Sequence, residues 1–144
     1  MKLEDLEKLG DFEKNNVVRN VTDSSVLDEY SYSFCEVIRE LVGDNSYTSP
    51  ETLDRLSYDL DEDIRNAVAY NDNTSPKTLD RLANDEFWPN RSLVAYNRNT
   101  LPETLERLVN DKKYVVRLRV SENPFTPQYI KDYIKILEFL KFSA

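Results

Sequence analysis

Thr48-Ser49-Pro50-Glu51-Thr52-Leu53-Asp54-Arg55-Leu56 returns as Thr74-Ser75-Pro76-Lys77-Thr78-Leu79-Asp80-Arg81-Leu82, and again as Thr100-Leu101-Pro102-Glu103-Thr104-Leu105-Glu106-Arg107-Leu108. Each copy lies 26 residues beyond the last, and a period of that length marks stacked supersecondary units. The register extends outward from these three copies. Thr22, Thr48, Thr74, Thr100 and Thr126 share the 26-residue step, as do the series from Arg39 to Arg117, from Val42 to Val120 and from Asn45 to Asn123. Residues 22–47 are therefore a degenerate first unit that lacks the Pro but keeps the second half of the pattern. Four units span about 22–125 as one domain, with 1–21 and 126–144 as flanking caps.

Each unit carries helix start signals. Ser49 or Ser75 can accept from the free N–H groups of a new helix, and Pro50, Pro76 or Pro102 follows at the first helical position, where a missing N–H costs nothing. The spacing predicts a helix A over about Pro50–Tyr58 with Leu53, Leu56 and Ser57 on one face, and equivalent stripes from Leu79 and Leu105. Asp61 or a neighbouring acid opens a helix B in which Ile64, Ala67, Val68 and Asn71 share a face, and Asn71-Asp72-Asn73-Thr74 ends it. Neither helix is long enough to hold in water alone, so each must bury its stripe against neighbouring units. At the ends, Leu3, Leu6 and Leu9 predict a short amphipathic helix. Tyr129, Ile130, Tyr133, Ile134, Leu137 and Leu140 predict a longer one among Lys131, Asp132, Lys135 and Lys141. Capping of the array accounts for this last helix without a membrane surface.

The string T-x-P-x-T-L-x-R-L-x-x-D followed by V-R-x-x-V-A-x-N resembles the variant leucine-rich repeat family. It is carried here by Thr48, Pro50, Leu53, Leu56, Asp59, Arg65, Val68, Ala69 and Asn71 and their equivalents over roughly 22–127. The resemblance implies an all-α fold: a short right-handed α-solenoid of about four 26-residue two-helix repeats, related to HEAT-like arrays, with N- and C-terminal capping helices. Such repeats serve mainly as binding scaffolds. The chain departs from the iron–sulfur-bearing variant of that family, because Cys35 is its one cysteine.

Residues returning every 26 positions stack about 10 Å apart, the spacing of packed helices, and most such rows hold the stack together. Asn71, Asn97 and Asn123 are expected to satisfy loop backbone groups where helix B ends. Arg65, Arg91 and Arg117 are expected to pair with Asp59, Asp85 or Asp111 within a unit or between adjacent ones. Arg55, Arg81 and Arg107, with Glu51 or Glu103 four residues earlier, read as solvated surface. Positions that break the repeat are more informative, since the scaffold does not dictate them. Opposite the Ile64 stripe, helix B carries Glu62, Asn66 and Tyr70, then Trp88, Ser92 and Tyr96, then Tyr114, Leu118 and Glu122. Asn66, Tyr70, Trp88, Ser92, Tyr96, Tyr114 and Leu118 form the expected partner-binding ridge, because aromatic clusters anchor protein interfaces.

Composition narrows the alternatives. The chain has 144 residues, no His, one Cys and two Gly, with 19 Lys+Arg against 27 Asp+Glu. Its side chains supply no tetrahedral zinc site, no imidazole triad and no Gly-rich phosphate loop, so no cofactor, metal or catalytic residue is expected. A charged start at Met1-Lys2-Leu3-Glu4 and short apolar runs predict a cytoplasmic protein without a membrane span. Charge is polarised, from net −6 over 1–47 and −4 over 48–99 to +2 over 100–144, where Lys112, Lys113, Arg117 and Arg119 make a small basic end. The expected function is a non-enzymatic scaffold that binds another protein or peptide on the helix-B face. It is expected to be monomeric unless the ridge self-associates. An acidic nucleic-acid decoy using the carboxylates of 1–63, which would respond to neutralising Asp61, Glu62 and Asp63, is one alternative; a HEAT-like DNA-repair-type enzyme is the other. Direct nucleic-acid binding is disfavoured by the sign of the charge.

Overall fold

The computed structural model describes residues 1–142, which form α-helices with no strand. In chain order these are α1 (Leu3–Leu6), α2 (Asp11–Arg19), α3 (Ser24–Tyr30), α4 (Glu36–Asp44), α5 (Pro50–Leu56), α6 (Glu62–Tyr70), α7 (Pro76–Leu82), α8 (Trp88–Tyr96), α9 (Pro102–Leu108), α10 (Tyr114–Glu122) and α11 (Gln128–Phe142). From α3 to α10, helices of seven and nine residues alternate. The helix starting at Pro50 stops at Leu56, two residues earlier than the spacing predicts, and Ser57 closes it. Asp61 caps α6 by accepting from the Asp63 N–H.

The long members α2, α4, α6, α8 and α10 pack side by side in that order, and α11 closes against α10. Each short helix leans mainly on the long one that follows it; the short helices touch one another far less. A single apolar core runs through the stack, from Leu6 and Val18 through Ile38, Val42, Leu53, Ile64, Val68, Leu79, Val94, Leu105, Val116 and Val120 to Ile130 and Ile134. Close approach of the long helices needs small residues at one position. Gly43, Ala69 and Ala95 occupy it, and a Cβ added at Gly43 would lie 3.0 Å from the Ala67 Cβ.

Two expectations at the ends are corrected. The Leu3, Leu6, Leu9 stripe does not form one helix: α1 is a single turn with Leu9 beyond it, and the element packing against α4 is α2. At the other end, α11 buries Ile130 and Ile134 while Tyr129, Tyr133 and Leu140 stay exposed, so only part of its apolar stripe closes the core. Among the described residues no helix is long and apolar enough to cross a membrane.

Capping yields a first testable consequence. The Ser49 and Ser75 hydroxyls accept from the Thr52 and Thr78 N–H groups at 3.2 Å, whereas Leu101 at the equivalent position offers no side-chain cap and is 48% exposed. Leu101→Ser is expected to stabilise the protein by about 1 kcal/mol, the usual worth of a serine N-cap, read as a higher urea midpoint with an unchanged slope.

Candidate partner-binding face of the long helices

Four rows of polar side chains fasten successive helices together, and they determine which residues are left for a ligand. In the first row the Asn71, Asn97 and Asn123 amides each donate to two backbone carbonyls of the preceding turn region; Asn97 reaches Ala69 O at 2.9 Å and Asn71 O at 3.1 Å. Each Asn Oδ1 also accepts a backbone N–H two residues on. In the second row, Thr48, Thr74, Thr100 and Thr126 donate to the last-turn carbonyls of Val42, Val68, Val94 and Val120. Both rows are buried.

Arginines make the other two rows. Arg39, Arg65 and Arg91 pair with Asp59, Asp85 and Asp111 at 2.7, 2.7 and 2.6 Å, so each reaches the acid of the following unit rather than its own. Each also donates to the carbonyl at the equivalent position of its own unit, as Arg65 does to Asp59 O. Arg117 continues the series onto Glu138 of α11. The Arg39, Arg65 and Arg91 guanidiniums are held above their ordinary pKa, first by the hydrogen bond to the aspartate and against the opposing effect of burial.

The fourth row corrects the expectation of solvated arginines on the short helices for Arg55 and Arg81, which are partly buried, while Arg107 is exposed as expected. Arg55, Arg81 and Arg107 pair backwards with Asp28, Asp54 and Asp80, which also accept from Thr52, Thr78 and Thr104. Arg55 lies 4.2 Å from the centre of the Tyr32 ring and Arg81 3.8 Å from that of Tyr58. The basic end is corrected too, because Arg117 is buried in its pair with Glu138 and Arg119 is engaged with Glu122.

Of the expected ridge, Tyr70, Tyr96 and Tyr114 are exposed at 59%, 51% and 53%, and Leu118 is partly so. Three other members are not available. Ser92 is 8% exposed, Trp88 is half-buried and packs on the core, and the Asn66 amide donates to Asn90 Oδ1 at 2.9 Å. The cause is that α8 is flanked by α6 on one side and α10 on the other, so a face that is free on an isolated helix is shared with neighbours here.

The structure adds residues that the ridge omitted. Glu40, Asp44, Asp63 and Leu93 join Asn66, Ala67 and Tyr70 around one groove. A second groove of about 410 Å³ adjoins it through Asp44 and Tyr70 and extends to Tyr96 and Arg98. Glu40 and Asp44 are the first-unit equivalents of Asn66 and Tyr70, so the 26-residue step already pointed to them. Glu40 is held above the ordinary carboxylate pKa, by partial desolvation first and then by the negative charges of Asp63, Asp44 and Asp61. At the opposite edge, Phe34 and Leu60 are 96% and 97% exposed beside Tyr32 and Tyr58, a pairing also readable from the period. Among the described residues no cluster of three or more acidic or cysteine side chains is placed to hold a metal ion. Comparison of the chain with protein-family models, with curated proteins and with solved structures gives no match.

Proposed function

We propose that this chain is a short right-handed α-solenoid of about four 26-residue units, of the variant leucine-rich repeat kind, and that it acts as a non-enzymatic scaffold. On this reading α3 to α10 are the repeats and the flanking helices are caps. The long helices line the concave side, which is supported by their close mutual packing against the looser spacing of the short ones. A partner protein or peptide docks on that side.

The observation that carries this reading is the exposure of Tyr70 and Tyr96 beside a continuous pair of grooves. Buried Asn, Thr and Arg rows already account for the cohesion of the stack, so these rings are not needed to hold it. Large aromatic side chains with few rotatable bonds are the usual energetic centres of protein interfaces. The test is replacement of both tyrosines by alanine, with capture of the interacting protein measured against the wild-type chain. Capture is expected to fall at least tenfold at unchanged helical content, and equal capture by the variant overturns the proposal. Trp88 is unsuitable for this test, since its removal would also disturb the core.

A further inference from the structure

We infer that the groove around Tyr70 binds an arginine-bearing basic segment of a partner, with a guanidinium stacked on the Tyr70 ring among the carboxylates of Asp44, Asp63 and Glu40. This rests on the scaffold reading above and assigns the chemistry of its partner.

The protein itself shows how its tyrosines are used. Tyr32 carries Arg55 over its ring, Tyr58 carries Arg81, Tyr96 carries Arg119 at 5.5 Å, and Tyr114 carries Arg117 at 5.8 Å. Tyr70 is among the tyrosines that lack such a partner: among the described residues no arginine or lysine lies over its ring. The reason is a single difference in the repeat. Arg119 stands 23 residues after Tyr96, and the residue 23 after Tyr70 is Leu93, which lines the same groove as Tyr70. The place where the next unit supplies its own guanidinium therefore holds an apolar side chain. The stem of an arginine arriving from outside can lie along such a surface.

Charge complementarity names the occupant. Both arginine rows are matched by their own aspartates, yet Glu40 and Asp63, on the rim of this groove, have no ion pair among the described residues. Asp44 has only an exposed contact with Arg19 at 3.3 Å, a type of pair worth little and readily exchanged. Glu36 and Glu62, at the starts of α4 and α6, are likewise exposed and unpaired among the described residues. The Glu40 carboxyl is raised first by partial desolvation and then by the charges of Asp63 and Asp44, and that second contribution is relieved by a cation and worsened by an anion. An arginine fits better than a lysine because its planar guanidinium stacks on the ring face while its N–H fork meets carboxylates.

The experiment uses the full chain and three labelled nine-residue peptides that alternate alanine with arginine, lysine or glutamate, followed by fluorescence anisotropy at low and at physiological salt. The arginine peptide is expected to bind at least tenfold more tightly than the lysine peptide, and the glutamate peptide not at all. Tyr70→Ala is expected to weaken arginine-peptide binding about tenfold. The Asp44→Asn, Asp63→Asn double variant is expected to weaken it and to flatten its salt dependence. Both variants are checked for unchanged helical content. Equal binding of the arginine and lysine peptides, or indifference to Tyr70→Ala, reduces the interaction to general attraction for an acidic protein and overturns the inference. If no arginine peptide binds while the natural partner is still lost with Tyr70→Ala and Tyr96→Ala, the scaffold reading stands and this assignment falls. If light scattering shows that the groove is instead filled by a second copy, with dimers that Tyr70→Ala dissolves and arginine peptide does not, the assignment falls as well.

Discussion

Asn97→Ala is expected to destabilise the protein by about 3–5 kcal/mol and to split its unfolding into two steps. The Asn97 side chain is 3% exposed and makes three hydrogen bonds, donating to Ala69 O and Asn71 O and accepting from the Asn99 N–H at 2.9 Å. Alanine removes two buried bonds to carbonyls and one part-buried bond to an amide, and each buried polar group left short of a partner costs roughly 1–3 kcal/mol. The damage lies between α6 and α8, so it falls on an internal junction of the stack. In a stack whose cohesion is largely between neighbours, weakening an internal junction uncouples the two sides. Urea unfolding followed by circular dichroism should then show a lower midpoint and a shallower slope than the wild type. Asn99→Ala is the control. Its amide reaches Asp72 O and Thr74 O from an exposed position, where water replaces the lost bonds, and its loss is expected to cost under about 1 kcal/mol. Equal effects of the two substitutions would show that burial of the Asn row is not what makes it costly.

The period was the most legible feature of the chain because it is written in residues whose backbone roles are strict. Pro at a helix start, Ser at a cap and Asn at a helix end each do something few other residues can, so their recurrence survives variation between units. Ser49, Ser75, Asp61 and the Asn71 row all appear in the structure in the expected roles. The Arg55 row was misjudged for a definite reason: its Glu51 and Glu103 neighbours satisfy the within-helix spacing, and that local pairing hid the one between helices. Yet Asp28, Asp54 and Asp80 also recur at 26, and each lies 27 residues before its arginine. A search for acids one period away would have found them. The candidate face was only half legible. A helical wheel tests each position against a single packing surface, and the Tyr70, Tyr96 and Tyr114 side chains that it freed are exposed in the structure. The long helices within the stack have neighbours on both sides, so the wheel leaves too wide a free arc, and it freed Ser92 and Trp88, which packing on α8 covers. The acidic wall of the groove was missed because Glu40 and Asp44 belong to the degenerate first unit, whose divergence made it look peripheral.

Arg91→Met is the second large effect, and pH supplies its signature. Arg91 donates from Nε to Asp111 at 2.6 Å and from a terminal nitrogen to Asp85 O at 2.7 Å, and the side chains of this pair are 16% and 7% exposed. Removing one partner of such a buried pair costs about 3–5 kcal/mol, because the other is left charged and poorly hydrated. In the intact protein burial raises the Asp111 carboxyl pKa, but the hydrogen bonds from Arg91 and the Lys113 N–H, with the Arg91 and Arg117 charges, more than reverse it. Its folded pKa is therefore below the unfolded value. The stability it contributes is fully present above the ordinary carboxylate range near about 4 and is lost as pH falls through the folded pKa. Asp59, Asp85, Asp28, Asp54 and Asp80 are lowered as well, and the chain has no histidine. Wild-type stability should accordingly be flat from about pH 6 to 8 and fall steeply below about pH 4. In Arg91→Met the sign at Asp111 turns over, since burial remains and the main opposing hydrogen bond is gone. Its penalty is then present above the unfolded pKa and disappears as the carboxyl takes up a proton. The stability difference between wild type and variant, measured by urea unfolding, should thus be largest at pH 7 and shrink towards pH 4. Asp111→Asn placed on top of Arg91→Met should recover part of the loss at pH 7 and little at pH 4. A difference that stays constant with pH would mean that Arg91 holds the junction by packing its stem, and that the charge pair itself contributes little.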